Sequence, residues 1–262
     1  HLTGVTLSTE QLAFARRRLG EAGLAGSTDL RLQDYRDLRA EAARGQRYDG
    51  IVSIEMVEAV GEAWWPTWFE TLRACLRPGG RACVQSIVIA DALFDDYRRG
   101  SDFIQRHVFP GGMLPSRAAF VEQARRAGLE VVNELAFGGD YARTLALWSA
   151  AFEAKLPQVR ALGHDERFIR LWRFYLAYCE AAFAARQTDV IEHQRAIGVN
   201  QHRRGTEVAV HRISATLVQV VQLRGNFVDD RHQLVRRGSK LRRSGRRHQR
   251  SQRFSVDRRR DH

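Results

Sequence analysis

Tyr48-Asp49-Gly50-Ile51-Val52-Ser53-Ile54-Glu55 opens the stretch that decides the fold, and Arg77-Pro78-Gly79-Gly80 with Ala82-Cys83-Val84-Gln85-Ser86-Ile87-Val88-Ile89 closes it. The first run ends in an acidic residue and reads as a buried strand passing into a polar loop. Residues 62–76 carry a helical pattern between the two runs, and the Pro-Gly-Gly turn ends that helix. Strand, helix and strand without a hairpin turn imply a parallel pair, so the chain is predicted to be α/β with a sheet covered on both faces. In such sheets ligands sit beyond the carboxyl ends of the strands.

Toward the amino end, residues 4–7 read as a strand end, and Ser8-Thr9-Glu10-Gln11 fits a capping box that starts a helix reaching about Ala22. Leu12, Ala15, Leu19 and Ala22 form its apolar face, Gly23 stops it, and residues 29–33 alternate as a strand does. Toward the carboxyl end, a polar and aromatic insertion passes through Phe94, Tyr97, Phe103 and Phe109 to Pro110-Gly111-Gly112. A connection of that length is usually functional. A helix near 116–127, a strand near 129–137 and helices near 142–155 and 165–185 complete the organised part, predicted to span residues 1–190.

Charge divides the chain at the same place. Residues 1–190 hold 24 Lys plus Arg and 24 Asp plus Glu, so the whole net charge of +12 lies in the remaining 72 residues. That tail, 191–262, has no sustained period and few aromatic residues, and reads as a basic low-order segment, either non-native or frame-shifted. A specific nucleic-acid partner is not expected from it, although a basic arm for nucleic acid or anionic lipid is the competing reading. Cys75, Cys83 and Cys179 have neither CxxC spacing nor an even count, which leaves no case for a disulfide framework or a metal site and makes a cytoplasmic setting the default. Every hydrophobic run is interrupted by charge before bilayer-spanning length, so a lipid would be met at a membrane surface.

The Gly-rich GxGxxG turn that cradles nucleotide cofactors is missing. Other motifs carry the chemistry: Gly4-Val5-Thr6-Leu7-Ser8 with Gln11, Leu32-Gln33-Asp34-Tyr35, Ser53-Ile54-Glu55-Met56-Val57-Glu58-Ala59-Val60-Gly61, Phe109-Pro110-Gly111-Gly112 and Tyr141-Ala142-Arg143-Thr144-Leu145. Together and in this order they closely resemble the cyclopropane-fatty-acyl-phospholipid synthase and mycolic acid cyclopropane synthase family over roughly residues 3–190. The resemblance implies a class I methyltransferase fold, a Rossmann-like doubly wound sheet with helical lipid-binding insertions. Here that fold lacks its first strand and glycine-rich turn, so a gap in the sheet is expected.

The resemblance also implies S-adenosylmethionine as cofactor and transfer of a methylene or methyl group to the cis double bond of an unsaturated phospholipid or fatty acyl chain. It places Thr6, Gln11, Asp34 and Tyr35 at the cofactor, and Glu58, Gln85, Ile87 and Tyr141 in a catalytic cluster that binds bicarbonate. Gln85 stands where several members have His, which keeps anion binding while leaving no imidazole to relay a proton. Read alone, Thr6 and Gln11 would cap a helix, Asp34 would sit in a solvated turn, Gln85 would be a satisfied strand residue and Tyr141 a helix-start aromatic. Phe94, Phe103, Ile104, Phe109, Trp148, Phe152, Trp172, Phe174 and Tyr175 offer apolar material for an acyl-chain tunnel, with a minority touching substrate.

A location peripheral to the inner membrane face and a homodimer are both compatible with the resemblance. The start at His1, inside a strand end, reads as a fragment expected to be inactive alone and marginally stable. A class I methyltransferase of another small molecule is the alternative enzyme reading.

Overall fold

The structure is a computed structural model and describes residues 1–196. The predicted basic tail therefore lies outside the described residues except for its first six positions. In chain order the elements are β1 Leu2–Thr6, α1 Thr9–Glu21, β2 Thr28–Leu32, α2 Leu38–Ala43, β3 Tyr48–Ile54, α3 Val57–Val60, α4 Trp65–Cys75 and β4 Leu76–Ile89. There follow α5 Phe94–Arg99, α6 Phe103–His107, α7 Arg117–Arg126, β5 Glu130–Ala136, α8 Gly138–Ala154, α9 Leu156–Ala161, α10 Glu166–Ala184 and β6 Thr188–Ala196.

The predicted strand, helix and strand over 48–89 form a parallel pair, with Ile51 opposite Ala82 and Ile54 opposite Gln85. The Arg-Pro-Gly-Gly segment lies inside β4 and not ahead of it. Tyr48 pairs with Leu76 and Gly50 with Arg81, so these residues form an irregularity in the ladder. Gly80 fits there because a Cβ would lie 2.9 Å from the Arg77 carbonyl oxygen and 3.1 Å from that of Asp49.

Strands β1 and β2 pair in parallel as a separate two-stranded sheet, while the other four take the order β3-β4-β6-β5. Among the described residues the two sheets share no ladder. The sheet is mixed and not wholly parallel, because β6 runs antiparallel to both β4 and β5.

β6 corrects the sequence reading, since it crosses the predicted boundary at 190/191 and carries the organised part to residue 196. Its composition is polar, yet hydrogen bonds on both edges satisfy its backbone, and Val190, Ile191 and His193 are buried. Pairing supplied by neighbours outweighs the weak apolar pattern.

The core lies on one face of β4. Trp65, Trp68, Phe69 and Leu72 of α4 pack against Ala82 and Val84, and against Phe120 and Ala124 of α7. Trp68 meets Phe69 edge-on at 4.8 Å, and Phe69 meets Phe120 at 5.1 Å. Burying rings of this size contributes roughly 1.5–3 kcal/mol each. The Trp65 indole donates to the Val57 carbonyl at 3.2 Å, which ties α4 to the short helix α3.

Helix α8 is fixed to β6 by one carboxylate. Asp189 Oδ1 accepts from the backbone N–H of Gly138 at 2.6 Å and from that of Val190 at 2.8 Å. A Cβ on Gly138 would lie 2.5 Å from that oxygen and 3.0 Å from the Asp189 Cα, whereas one on Gly139 would meet nothing within 4 Å. Gly138→Ala is therefore expected to lower unfolding stability by about 1–3 kcal/mol. Gly139→Ala should leave it unchanged or raise it by up to about 1 kcal/mol through helix propensity. Denaturant titration of the two variants side by side checks this, and equal stabilities would show that the clamp is not formed.

Candidate active site

β3 ends at Ile54, and the chain turns there in an unusual way. Glu55 has φ of 48°, in the left-handed region that residues with a Cβ seldom occupy. Its backbone N–H still donates to the Gln85 carbonyl at 2.8 Å, so the ladder to β4 continues through the turn. Its carboxylate Oε1 accepts from Gln85 Nε2 at 2.9 Å and from the hydroxyl of Tyr141. Gln85 Nε2 also donates to Tyr141 Oη at 2.9 Å, closing a three-membered polar cluster. Tyr141 reaches it from the first turn of α8, with its ring held against Phe137 and Phe183.

Glu58, on α3, forms the second half of the cluster. Its Oε1 accepts from the backbone N–H of Ile87, and its Oε2 is buried with no hydrogen-bond partner among the described residues. Burial disfavours the charged form and pushes the Glu58 carboxyl up to about 8, so it is largely protonated at neutral pH. Burial, then the Glu55 charge, likewise raises the Tyr141 phenol well above its ordinary value. The Glu58 carbonyl accepts from Met113 N–H at 2.9 Å, which seats the Phe109-Pro110-Gly111-Gly112 turn against α3.

All four residues expected in the catalytic cluster thus meet at the carboxyl ends of β3 and β4. Sequence reasoning quoted Glu55 inside its motif but gave it no role. The available signal was its position directly after the apolar run of β3.

The expected cofactor residues occupy the ends of the other two strands, in separate neighbourhoods. After β1, Thr6 Oγ1 donates to Gln11 Oε1 at 2.7 Å, and Ser8 Oγ accepts from Gln11 N–H at 3.1 Å to cap α1. The expected capping box is modified, because the Ser8 N–H donates to Thr6 Oγ1. After β2, Asp34 accepts from the Arg36 backbone N–H at 2.9 Å and pairs with its guanidinium at 2.6 Å, which holds the carboxyl below its ordinary range. Tyr35 packs against the main core, where burial raises its phenol pKa.

The tunnel candidates divide between core and surface. Phe94 stacks on Trp65 at 6.3 Å and packs on the core, and Phe152 is buried in α8. Phe103 meets Phe174 at 4.6 Å where α6 lies on α10, and Phe109 and Phe174 remain exposed. Among the described residues, no helix is long and apolar enough to cross a membrane.

The family model described as mycolic acid cyclopropane synthetase matches residues 1–193. The chain belongs to this family. It is 38% identical over 193 residues to the tuberculostearic acid methyltransferase UfaA1 of Mycobacterium tuberculosis, covering 73% of this chain and 44% of that protein. Identity to the cyclopropane-fatty-acyl-phospholipid synthase of Escherichia coli is 34% over 187 residues, covering 71% of this chain and 44% of the synthase. The chain therefore spans less than half the length of these relatives.

Among solved structures, mycolic acid cyclopropane synthase CmaA1 complexed with SAH and CTAB superimposes with a TM-score of 0.65 at 25% identity, over 74% of this chain and 69% of that one. Cyclopropane synthase MmaA2 of M. tuberculosis matches with the same TM-score and coverage at 23% identity. The fold is that of the class I methyltransferases, as the sequence reading expected.

The raised Glu58 value fixes a pH dependence. The folded chain holds a proton that the unfolded chain loses near 4.5, so this stabilisation is complete below about pH 4.5 and is lost as pH rises through about 8. Stability should fall across that window, and Glu58→Gln should remove a fall on the order of a few kcal/mol. Parallel unfolding curves for parent and variant from acid to mildly alkaline pH would contradict the buried, protonated carboxyl.

Proposed function

We propose that the chain carries part of the active site of an S-adenosylmethionine-dependent enzyme that adds a methylene or methyl group across the cis double bond of an unsaturated lipid acyl chain. The observation that supports this most is the cluster of Glu55, Glu58, Gln85, Ile87 and Tyr141 at the carboxyl ends of β3 and β4. Family membership adds to it, as does a relative captured with SAH and CTAB, a demethylated cofactor and a long-chain amphiphile.

Thr6, Gln11, Asp34 and Tyr35 suit a nucleoside-bearing cofactor, since a hydroxyl and an amide follow β1 while a carboxylate and an aromatic ring follow β2, its parallel neighbour. S-adenosylmethionine, when bound, supplies an electrophilic methyl group on a sulfonium. This chain's residues then align the alkene, exclude water and manage a proton, because the carbocation left on the acyl chain by methyl addition must lose one to close a ring. Neutral Glu58 spares the site a second buried negative charge.

Bicarbonate fits this cluster poorly. The Ile87 N–H is given to Glu58, while both the Gln85 amide and the Tyr141 hydroxyl are given to Glu55. A further anion would meet three donors already used and a resident carboxylate, with only the protonated Glu58 Oε2 left to donate to it. Membrane-surface binding and dimerisation belong to the same proposal, as the setting in which an acyl chain would be reached.

Equilibrium binding of SAH to the 262-residue chain tests the cofactor assignment. Binding is expected, and Asp34→Ala should weaken it roughly tenfold, the loss of one charge-assisted hydrogen bond. Absence of saturable binding by the parent would overturn the assignment. In a companion assay with labelled S-adenosylmethionine and vesicles of cis-unsaturated phospholipid, label in a water-soluble acceptor in place of the lipid would favour the small-molecule reading. The chain alone is proposed to be inactive, so label in the lipid would overturn that point while supporting the reaction.

A further inference from the structure

We infer that Glu55 is a built-in replacement for an exchangeable anion in this site: its carboxylate occupies the donors of Gln85 and Tyr141 and accepts, through Tyr141, the proton released when the ring closes. The inference rests on the acyl-lipid reading above and identifies the proton acceptor within it.

Three observations carry it. First, two groups expected to hold an anion already converge on one oxygen of the protein, Glu55 Oε1, from Gln85 Nε2 at 2.9 Å and from the Tyr141 hydroxyl. Second, the backbone is bent to bring this about. Glu55 has φ of 48°, in the left-handed region disfavoured for a residue with a Cβ, and such outliers persist where the surroundings hold them. Third, the other candidates do not serve. Gln85 has no titratable proton, and Glu58 is buried with its Oε1 given to the Ile87 N–H.

A C–H bond of the newly added methyl group breaks, and its electron pair forms the C–C bond that closes the ring. The proton passes to Tyr141 Oη as the proton already on that oxygen moves to Glu55 Oε1. A cation and a carboxylate become a neutral ring and a neutral carboxyl, and the proton leaves Glu55 to solvent before the next cycle.

The test uses the full chain and two variants. Glu55→Gly removes the carboxylate while suiting the left-handed backbone, so the fold is retained. Glu55→Gln removes the charge alone. With 13C-labelled bicarbonate as the probe, the parent should show no saturable binding by NMR, and Glu55→Gly should acquire it with affinity at least roughly tenfold higher. With ring-labelled tyrosine, assigned by the signal lost in Tyr141→Phe, the Tyr141 phenol should titrate lower in Glu55→Gln than in the parent.

Bicarbonate binding by the parent equal to that of Glu55→Gly would overturn the inference, and so would an unmoved Tyr141 titration. SAH binding measured on the same samples separates the two claims. If the parent fails to bind SAH while the bicarbonate and tyrosine results hold, the cofactor assignment falls and the anion-replacing role of Glu55 stands.

Discussion

The antiparallel ladder between β4 and β6, from Arg81 opposite Ala196 to Ile89 opposite Thr188, is the interaction on which the rest of the described structure depends. It gives β4 a partner on each edge, β3 on one and β6 on the other. It also brings Asp189 beneath the start of α8, where the carboxylate takes the Gly138 N–H. That clamp sets the first turn of α8 over the end of β4, which is how Tyr141 reaches Gln85 and Glu55. A residue distant in sequence thereby becomes part of a site built at the ends of two parallel strands.

Within that site the two carboxyl groups have different surroundings. Glu58 is desolvated and keeps its proton to about pH 8, while Glu55 receives two hydrogen bonds on one oxygen. Arg36 meanwhile holds Asp34 as a carboxylate at the end of β2. The strand ends therefore carry a protonated Glu58 after β3 and an ion-paired Asp34 after β2.

Much of this is legible in the sequence, and the exceptions have physical causes. The run from Tyr48 to Ile89 is readable because apolar strand residues and a helical period alternate over a short distance, and the end of its first strand points to Glu58. Gln85, Ile87 and Tyr141 follow only from the family resemblance, since nothing local in a strand interior or in the first turn of a helix announces these partners. Strand β6 escaped because Thr188, Asp189, Glu192 and His193 dilute its apolar pattern, while its stability comes from two neighbouring strands. Glu55 escaped because its role depends on a backbone angle and on the placement of α8, neither of which is encoded in the residues beside it. The Arg77-Pro78-Gly79-Gly80 turn was read as a helix stop and proved to be an irregularity within β4.

Native-state hydrogen exchange resolved at β6 tests the central dependence most directly. If the β4–β6 ladder organises the fold, the amides of Val190, Ile191 and Glu192 should exchange only with global unfolding, at rates matching Val84 of β4 and well below those of β1. Exchange at β6 as fast as that at β1 would mean that the ladder opens locally, and that Tyr141 is held in place by something other than this strand.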